Sequence, residues 1–412
     1  MPHWNWRLVQ AMSTILLTYE FGAGLGHLTQ LIAIAKHLIE RNRVVFALPD
    51  PMRQRDIVHR ALGPEVEIRQ GTRWPVPKDP KSRRVPTQTF ADVLPLFGFH
   101  LAEKLFHATR GAAELLREVS PRLIISDFAP TIRIASAGKV PTVVAGNGYS
   151  VPPPGKPLPL IRPWGEGMHP QSRANEALLL AAVNQVRARL SGPAIDFIAD
   201  VFQGEQTFVS TLTEFDPYRN ARVTPPVWPF NIPKMPTPRS FGERRGAAIF
   251  CYLQNGHPAL LSILAALSEI DCDSEIYVQG AGPHFVAERC SRRVRVHTAP
   301  ANFAEVLPDA MLLLHHAGLS TAYAGLAAGI PQMVLPVQLE HVVTTRGLEQ
   351  FGSAIPVASR PAPDPARLAV RIRDALADTE RQHAALQAAR QLEARRDDES
   401  ILRVVAACTA FL

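Results

Sequence analysis

The sequence predicts an α/β protein of two doubly wound parallel-sheet domains. Three observations carry that reading. Short apolar runs alternate with helical periodicity in both halves of the chain. A proline-dense stretch, residues 224–239, separates the two series. In each series a glycine-containing turn follows an apolar run and opens a helix, which is where open α/β sheets bind ligands.

In the first series, residues 13–18 form a strand, and Gly22-Ala23-Gly24-Leu25-Gly26 forms the turn. A helix is expected over 27–40, because Leu28, Leu31, Ile32, Ala35, Leu38 and Ile39 fall on one face. The pattern continues with a strand at 44–48, a helix at 101–119, a strand at 123–126, a helix at 131–137 and a strand at 142–145. Residues 151–163 are a proline-rich loop. Pro225, Pro226, Pro229, Pro233, Pro236 and Pro238 exclude helix and central strand from 224–239, which reads as a stiff linker. The second series has strands at 247–253, 275–279 and 294–297 and a helix at 258–268. The tail from 365 onward is mostly helical.

Residues 312–341 are the most informative stretch. Leu312 to Leu314 suits a buried parallel strand. Gly318 allows a sharp turn, and Ser320 is a suitable N-cap for a helix over 321–328. Gly329 and Pro331 end that helix. The first N–H groups of such a helix point outward unpaired, so the turn is an anion site. His315, His316, Ser320 and Thr321 sit on it and add donors for phosphate oxygens.

A second constellation lies in the first series. His27 occupies the first turn of a helix just beyond a strand, in Gly24-Leu25-Gly26-His27-Leu28. Asp127 ends the strand at 123–126. If the two strands are neighbours, the side chains meet at one rim, and an Asp accepting from one ring nitrogen leaves the other to act as a base. The residues alone also allow His27 as a polar helix-terminal group and Asp127 as a cap for the helix after Pro130. The glycine turn lacks the full G-x-G-x-x-G spacing of a dinucleotide site.

Taken together, these motifs resemble the nucleotide-sugar-dependent glycosyltransferases of the GT-B fold, in their bacterial natural-product or lipid-modifying and plant secondary-product forms. The resemblance rests on His315-His316, Gly318, Thr321, Gly329-Ile330-Pro331-Gln332, Leu335-Pro336 and Glu340-His341, and on the His27 and Ser126-Asp127-Phe128 settings. It implies two Rossmann-like domains facing a central cleft: an acceptor domain at 12–223, a linker at 224–241, a nucleotide-sugar domain at 242–392, and a helix at 393–412 returning to the first domain. It implies inverting transfer from a UDP- or dTDP-linked sugar to an acceptor hydroxyl, with His27 as general base oriented by Asp127. His315, His316, Gly318, Ser320 and Thr321 would hold the diphosphate, with positive charge from the helix N-terminus and His316. Gln338, Glu340 and His341 would face the sugar. The implied partners are a nucleotide sugar, as co-substrate rather than cofactor, and a small-molecule or lipid-like acceptor; no metal is expected. Trp74, Phe97, Phe99, Tyr149 and Trp164 are candidates for acceptor loops. An epimerase of the same fold, and a nucleotide-sugar-binding protein without chemistry, are the alternative readings.

The chain departs from the family pattern at several positions. Thr298-Ala299-Pro300-Ala301 stands where plant members carry Trp-x-Pro-Gln, Ala324 where a ribose-binding Glu is common, and Glu340-His341 where Asp-Gln is usual. These leave base and sugar open. Asp271-Cys272-Asp273 reads as a solvated turn rather than a metal pair.

The bulk numbers are those of a soluble globular protein. The chain has 412 residues, 46% of them hydrophobic and 20% charged, with no apolar run long enough to span a membrane. Residues 1–10 do not read as a secretory leader, and Met12 is an alternative start. Cys251, Cys272, Cys290 and Cys408 show no metal spacing and read as reduced thiols, so a cytoplasmic location is expected. The net charge of +7 is scattered, with the densest cluster from Lys78 to Arg84. No nucleic-acid motif accompanies it, and at most a weak peripheral attraction to anionic membrane is expected.

Overall fold

The computed structural model describes residues 12–22, 25–75, 87–136, 138–165 and 167–412. Residues 1–10, Gly24 and the basic run from Lys78 to Arg84 lie outside the described residues. The chain divides into two units. Unit 1 comprises residues up to Thr211, Asn220–Phe230 and Glu399–Leu412, and unit 2 comprises Leu212–Arg219 and Asn231–Asp398. The proline-rich stretch is thus shared out, with its first part in unit 1 and its remainder in unit 2.

Unit 1 runs β1 (Ser13–Tyr19), α1 (Gly26–Ala35), β2 (Asn42–Leu48), α2 (Pro51–Leu62), β3 (Glu67–Gln70), α3 (Phe90–Phe97), α4 (Ala102–Val119), β4 (Leu123–Asp127), α5 (Pro130–Ser136), β5 (Thr142–Gly146), α6 (Pro170–Arg189) and β6 (Gln206–Val209). All strand pairs are parallel, in the order β3-β2-β1-β4-β5-β6. One face packs Ile15, Leu17, Phe46 and Ile125 beneath Leu28 and Leu31 of α1. The other packs Leu16, Val45 and Ile124 against Ala112, Leu116 and Ile132. Burial on both faces is why these strands read as unbroken apolar runs.

Unit 2 runs β7 (Ile249–Gln254), α7 (Leu260–Ser268), β8 (Ser274–Gln279), α8 (Pro283–Ala287), β9 (Val294–Val296), α9 (Phe303–Val306), β10 (Leu312–His315), α10 (Leu319–Ala327), β11 (Gln332–Val334), α11 (Leu339–Gln350), β12 (Ala354–Pro356), α12 (Pro365–Ala377) and α13 (Thr379–Ala394). Its parallel order is β12-β11-β10-β7-β8-β9. The last helix, α14 (Ser400–Thr409), places Val404 and Cys408 in the unit 1 core. Both doubly wound domains expected from the sequence are present.

Local departures have physical causes. Helix α1 stops at Ala35, and residues 36–40 are turns rather than helix. His37 and Leu38 donate to Ile34 and Ala35, tightening the end to three-residue bonds. Ser320 is not the cap of α10. Gly318 takes that position, and the Ser320 hydroxyl accepts from Asn231 Nδ2 at 2.8 Å. At the far end of α10, the buried Arg244 guanidinium donates to the carbonyls of Ala310, Ala328 and Gly329. Burial lowers its pKa to about 10, still far above neutrality, so the cation anchors that terminus.

Candidate active site

In unit 1, β1 and β4 are adjacent, with Tyr19 level with Asp127. His27 follows Gly26 at the start of α1. The turn leading to it needs glycine at Gly22, where φ is +108° and an added Cβ would lie 2.6 Å from His27 Cδ2. The imidazole Nδ1 is 2.7 Å from Asp127 Oδ2. His27 is 8% exposed and Asp127 1%. An ionised carboxylate only accepts, so Nδ1 carries the proton and Nε2 is the basic nitrogen. The Tyr19 ring stacks on the imidazole with centroids 5.5 Å apart.

Four of the candidate acceptor residues, Trp74, Phe97, Phe99 and Tyr149, join an aromatic cluster that reaches His27 through Phe128. Phe21 lies 4.6 Å from Phe97 and 4.9 Å from Phe128, Trp74 lies 4.6 Å from Phe99, and Tyr149 lies 5.2 Å from Phe90. Phe97 and Tyr149 are half-buried, and Trp164 is exposed in the long loop before α6. Phe99 has no exposed surface. It backs the cluster, contrary to its expected place in an acceptor loop. Trp74, nearly buried, donates through Nε1 to Glu20 Oε2 and Thr131 Oγ1.

Glu20 was not singled out by the sequence. Its carboxylate also accepts the N–H groups of Thr131 and Ile132 at the start of α5. Burial pushes its pKa up to about 7. An acidic residue directly after an apolar strand was the available signal.

In unit 2, the turn between β10 and α10 carries Ala317 at φ +66°, a conformation unusual for a residue with a Cβ. His315 is wholly buried. Gln332 donates its amide to the Ala322 carbonyl, so its oxygen faces His315 Nε2 at 3.0 Å. A carbonyl cannot donate, hence His315 Nε2 carries the hydrogen. Its Nδ1 is buried with no hydrogen-bond partner. Gly325 leaves room for this amide, since a Cβ there would lie 2.5 Å from Gln332 Cδ.

His316 packs 4.9 Å from His341 and 5.8 Å from Tyr252. His341 Nε2 faces the Gln338 side-chain amide at 3.2 Å. Thr321 is buried in the first turn of α10, Gly318 borders the His316 ring, and Glu340 is half-buried in the first turn of α11. His257, which reads as an isolated residue in the sequence, joins this group. It is bonded to the Leu335 carbonyl, and its charge would oppose that of His316. No spacing signal links it to the others, because chain separation hides the contact.

Burial, first of all, lowers every imidazole here: His315 to about 3, His316 to about 4, and His341 well below its usual value. His316 is therefore uncharged near neutral pH, against the expectation that it brings positive charge. Attraction for an anion at this turn comes from the α10 N–H groups.

Among the described residues, no group of three or more His, Cys, Asp or Glu is placed to hold a metal ion. Asp271 and Asp273 are exposed and paired with Arg293. Among the described residues, no helix is long and apolar enough to cross a membrane.

Comparison with known proteins bears on the fold. Residues 262–407 match the erythromycin biosynthesis protein CIII-like C-terminal domain. A segment of 71 residues is 34% identical to elloramycin glycosyltransferase ElmGT of Streptomyces olivaceus, covering 17% of this chain and 18% of that protein. The calicheamicin glycosyltransferase CalG4 superposes with a TM-score of 0.65 over 98% of each chain at 17% identity. The spinosyn rhamnosyltransferase SpnG complexed with thymidine diphosphate superposes with a TM-score of 0.63, covering 96% of this chain and all of that one, also at 17% identity. At such identity the superpositions speak for the fold. The chain therefore carries the GT-B fold, and its residues 262–407 match the model of the erythromycin biosynthesis protein CIII-like C-terminal domain.

Proposed function

We propose that this chain is an inverting glycosyltransferase that moves a sugar from a nucleoside diphosphate to a hydroxyl of a small, largely apolar acceptor. The observation that carries the reading is the 2.7 Å contact between His27 and Asp127 at the carboxyl ends of adjacent strands, beside a run of aromatic rings. His27 Nε2 takes the acceptor's hydroxyl proton as its oxygen attacks the anomeric carbon from the face opposite the leaving group. The bond from that carbon to the phosphate oxygen breaks, and its electron pair leaves with the diphosphate. The positive charge that builds on the imidazole is balanced by Asp127.

The reading assigns the diphosphate to the turn at Gly318, with the α10 N–H groups, Ser320 and Thr321 as donors. His315 gives its one ring hydrogen to Gln332, so its Nδ1 can only accept and the ring is not among the donors to the diphosphate, against the sequence expectation. Gln338, Glu340 and His341 are assigned to the sugar. The similar proteins named above are an elloramycin glycosyltransferase, a calicheamicin glycosyltransferase and a spinosyn rhamnosyltransferase, the last complexed with thymidine diphosphate. A dTDP-linked sugar and a polyketide-like acceptor are accordingly the first substrates to test, with UDP-linked sugars second. No metal takes part in the reading.

The test is transfer itself, followed by mass spectrometry with dTDP- and UDP-sugars and an aglycone panel, for the wild type and His27→Ala. The substitution is expected to lower turnover about 10²–10⁴-fold while thymidine diphosphate still binds. Equal turnover in the two proteins would overturn the assignment of the base.

A further inference from the structure

We infer that Ser150 is a positioning residue for the His27–Asp127 pair, holding the carboxylate by its second oxygen. This rests on the reading of His27 as the base. Asp127 Oδ2 faces the imidazole, and Oδ1 accepts from Ser150 Oγ at 3.2 Å. Ser150 and Asp127 are each 1% exposed. A buried carboxylate with one oxygen unpaired would carry a desolvation cost and could rotate, taking the imidazole's orientation with it.

The loop is built to present this hydroxyl. It leaves β5 at Gly146 and turns through residues 147–150. Ser150 N donates to Asn147 Oδ1 at 2.8 Å, and Asn147 N donates to Ser150 Oγ at 3.1 Å. An oxygen that already accepts a backbone N–H has its own hydrogen directed elsewhere. Asp127 Oδ1 is the nearer acceptor, against 3.4 Å to the Asn147 carbonyl. Gly146 clears the approach. An added Cβ there would lie 2.8 Å from Asp127 Oδ1, 2.9 Å from Ser150 Oγ and 2.5 Å from Val151 Cγ2. Strand β5 and its loop thus brace from one side a carboxylate that β4 supplies and α1 uses from the other.

The titratable groups around the carboxylate are His27, Tyr19 stacked on the imidazole, and Glu20 next along β1. Arg133 lines the small cavity that Ser150 also borders, and it pairs with Glu205. Removing the Ser150 hydroxyl leaves the anion less stabilised, so protonation of the coupled pair becomes easier and its apparent pKa rises.

The test compares Ser150→Ala and Ser150→Thr with the wild type in two measurements. The first is an NMR titration of the His27 ring nitrogens without substrate. The alanine variant is expected to titrate about half a pH unit or more higher, and threonine, which keeps the hydroxyl, is expected to restore the wild-type value. The second is transfer kinetics. The alanine variant is expected to lose about tenfold in kcat with little change in KM, and its acidic limb should move to higher pH. A Ser150→Ala protein that folds and shows the wild-type His27 titration overturns the inference, even if its turnover is lower, because loss of the turn alone would act through stability. The titration needs no substrate. It therefore separates failure of this inference from failure of the transferase reading, which shows instead as a normal Ser150 effect on His27 in a chain that transfers nothing.

Discussion

His27 and His316 both stand at the turn between a parallel strand and a helix, one in each unit, and both are nearly buried. Their surroundings differ in kind. His27 has a carboxylate on Nδ1, which fixes its tautomer and welcomes a positive charge on the ring. His316 has other imidazoles for neighbours and burial against it, so a proton there is resisted. The same chain topology thus yields a ring prepared to take up a proton and a ring prepared to stay neutral. What separates them is a single acidic partner, which a strand-turn-helix motif does not specify.

The sharpest way to break this contrast is to remove that partner. Asp127→Ala leaves the imidazole without its anchor and without a counter-charge. Turnover in the transfer assay is expected to fall about 10²–10⁴-fold, while thymidine diphosphate binding, followed by calorimetry, stays at the wild-type level. A matched loss of nucleotide binding would show that the two sites are not independent and that the contrast is misdrawn.

How much of this was legible in the sequence depends on range. The central strands could be read because they are buried on both faces, and the turn at 315–321 because its glycine and small-residue helix are local. Edge strands β3 and β12 are short, and β3 and β6 carry exposed polar residues, so no apolar run marks them. Helix α6 gives little periodic signal for a related reason: its buried face mixes Ser172, Glu176 and Arg187 with Leu179, Ala182 and Val183. Asp127 could be paired with His27 only through the condition that β1 and β4 are neighbours, which the register supplies. Ser150 and His257 had no such handle, and Glu20 only its place directly after an apolar strand. Each acts through a partner distant in sequence, and a lone polar residue beside a strand end looks alike whether it caps a helix, orients a carboxylate or faces solvent.

The neutral side of the comparison has its own support, and Gln332→Leu tests it. Gln332 ties His315 Nε2 to the Ala322 carbonyl, so leucine leaves the buried His315 N–H unpaired and removes the second donor to a helical carbonyl of α10. A loss of about 1–3 kcal/mol in unfolding free energy is expected, measured by urea titration. Thymidine diphosphate affinity should drop about tenfold as the first turn of α10 loses its tie through Gln332 to His315. Intact affinity in a destabilised variant would confine His315 to a packing role.

The last test is the pH dependence of stability, whose sign distinguishes the imidazoles from Glu20. His315 and His316 have folded values of about 3 and 4, below the ordinary 6.5. The unfolded chain therefore binds more protons at these positions. Their contribution is present above pH 6.5 and is lost as pH falls towards 4. Glu20 runs the other way: its folded value of about 7 lies above the ordinary 4.5, so the folded chain binds the extra proton. Its contribution is present below pH 4.5 and is lost as pH rises through 7. Thermal unfolding between pH 4 and 8 should consequently show His316→Gln flattening the acid limb and Glu20→Gln flattening the rise of instability towards pH 8. If His316→Gln leaves the acid limb as steep as in the wild type, the uncharged state of that ring is wrong. Positive charge would then already reside beside α10 before any anion arrives.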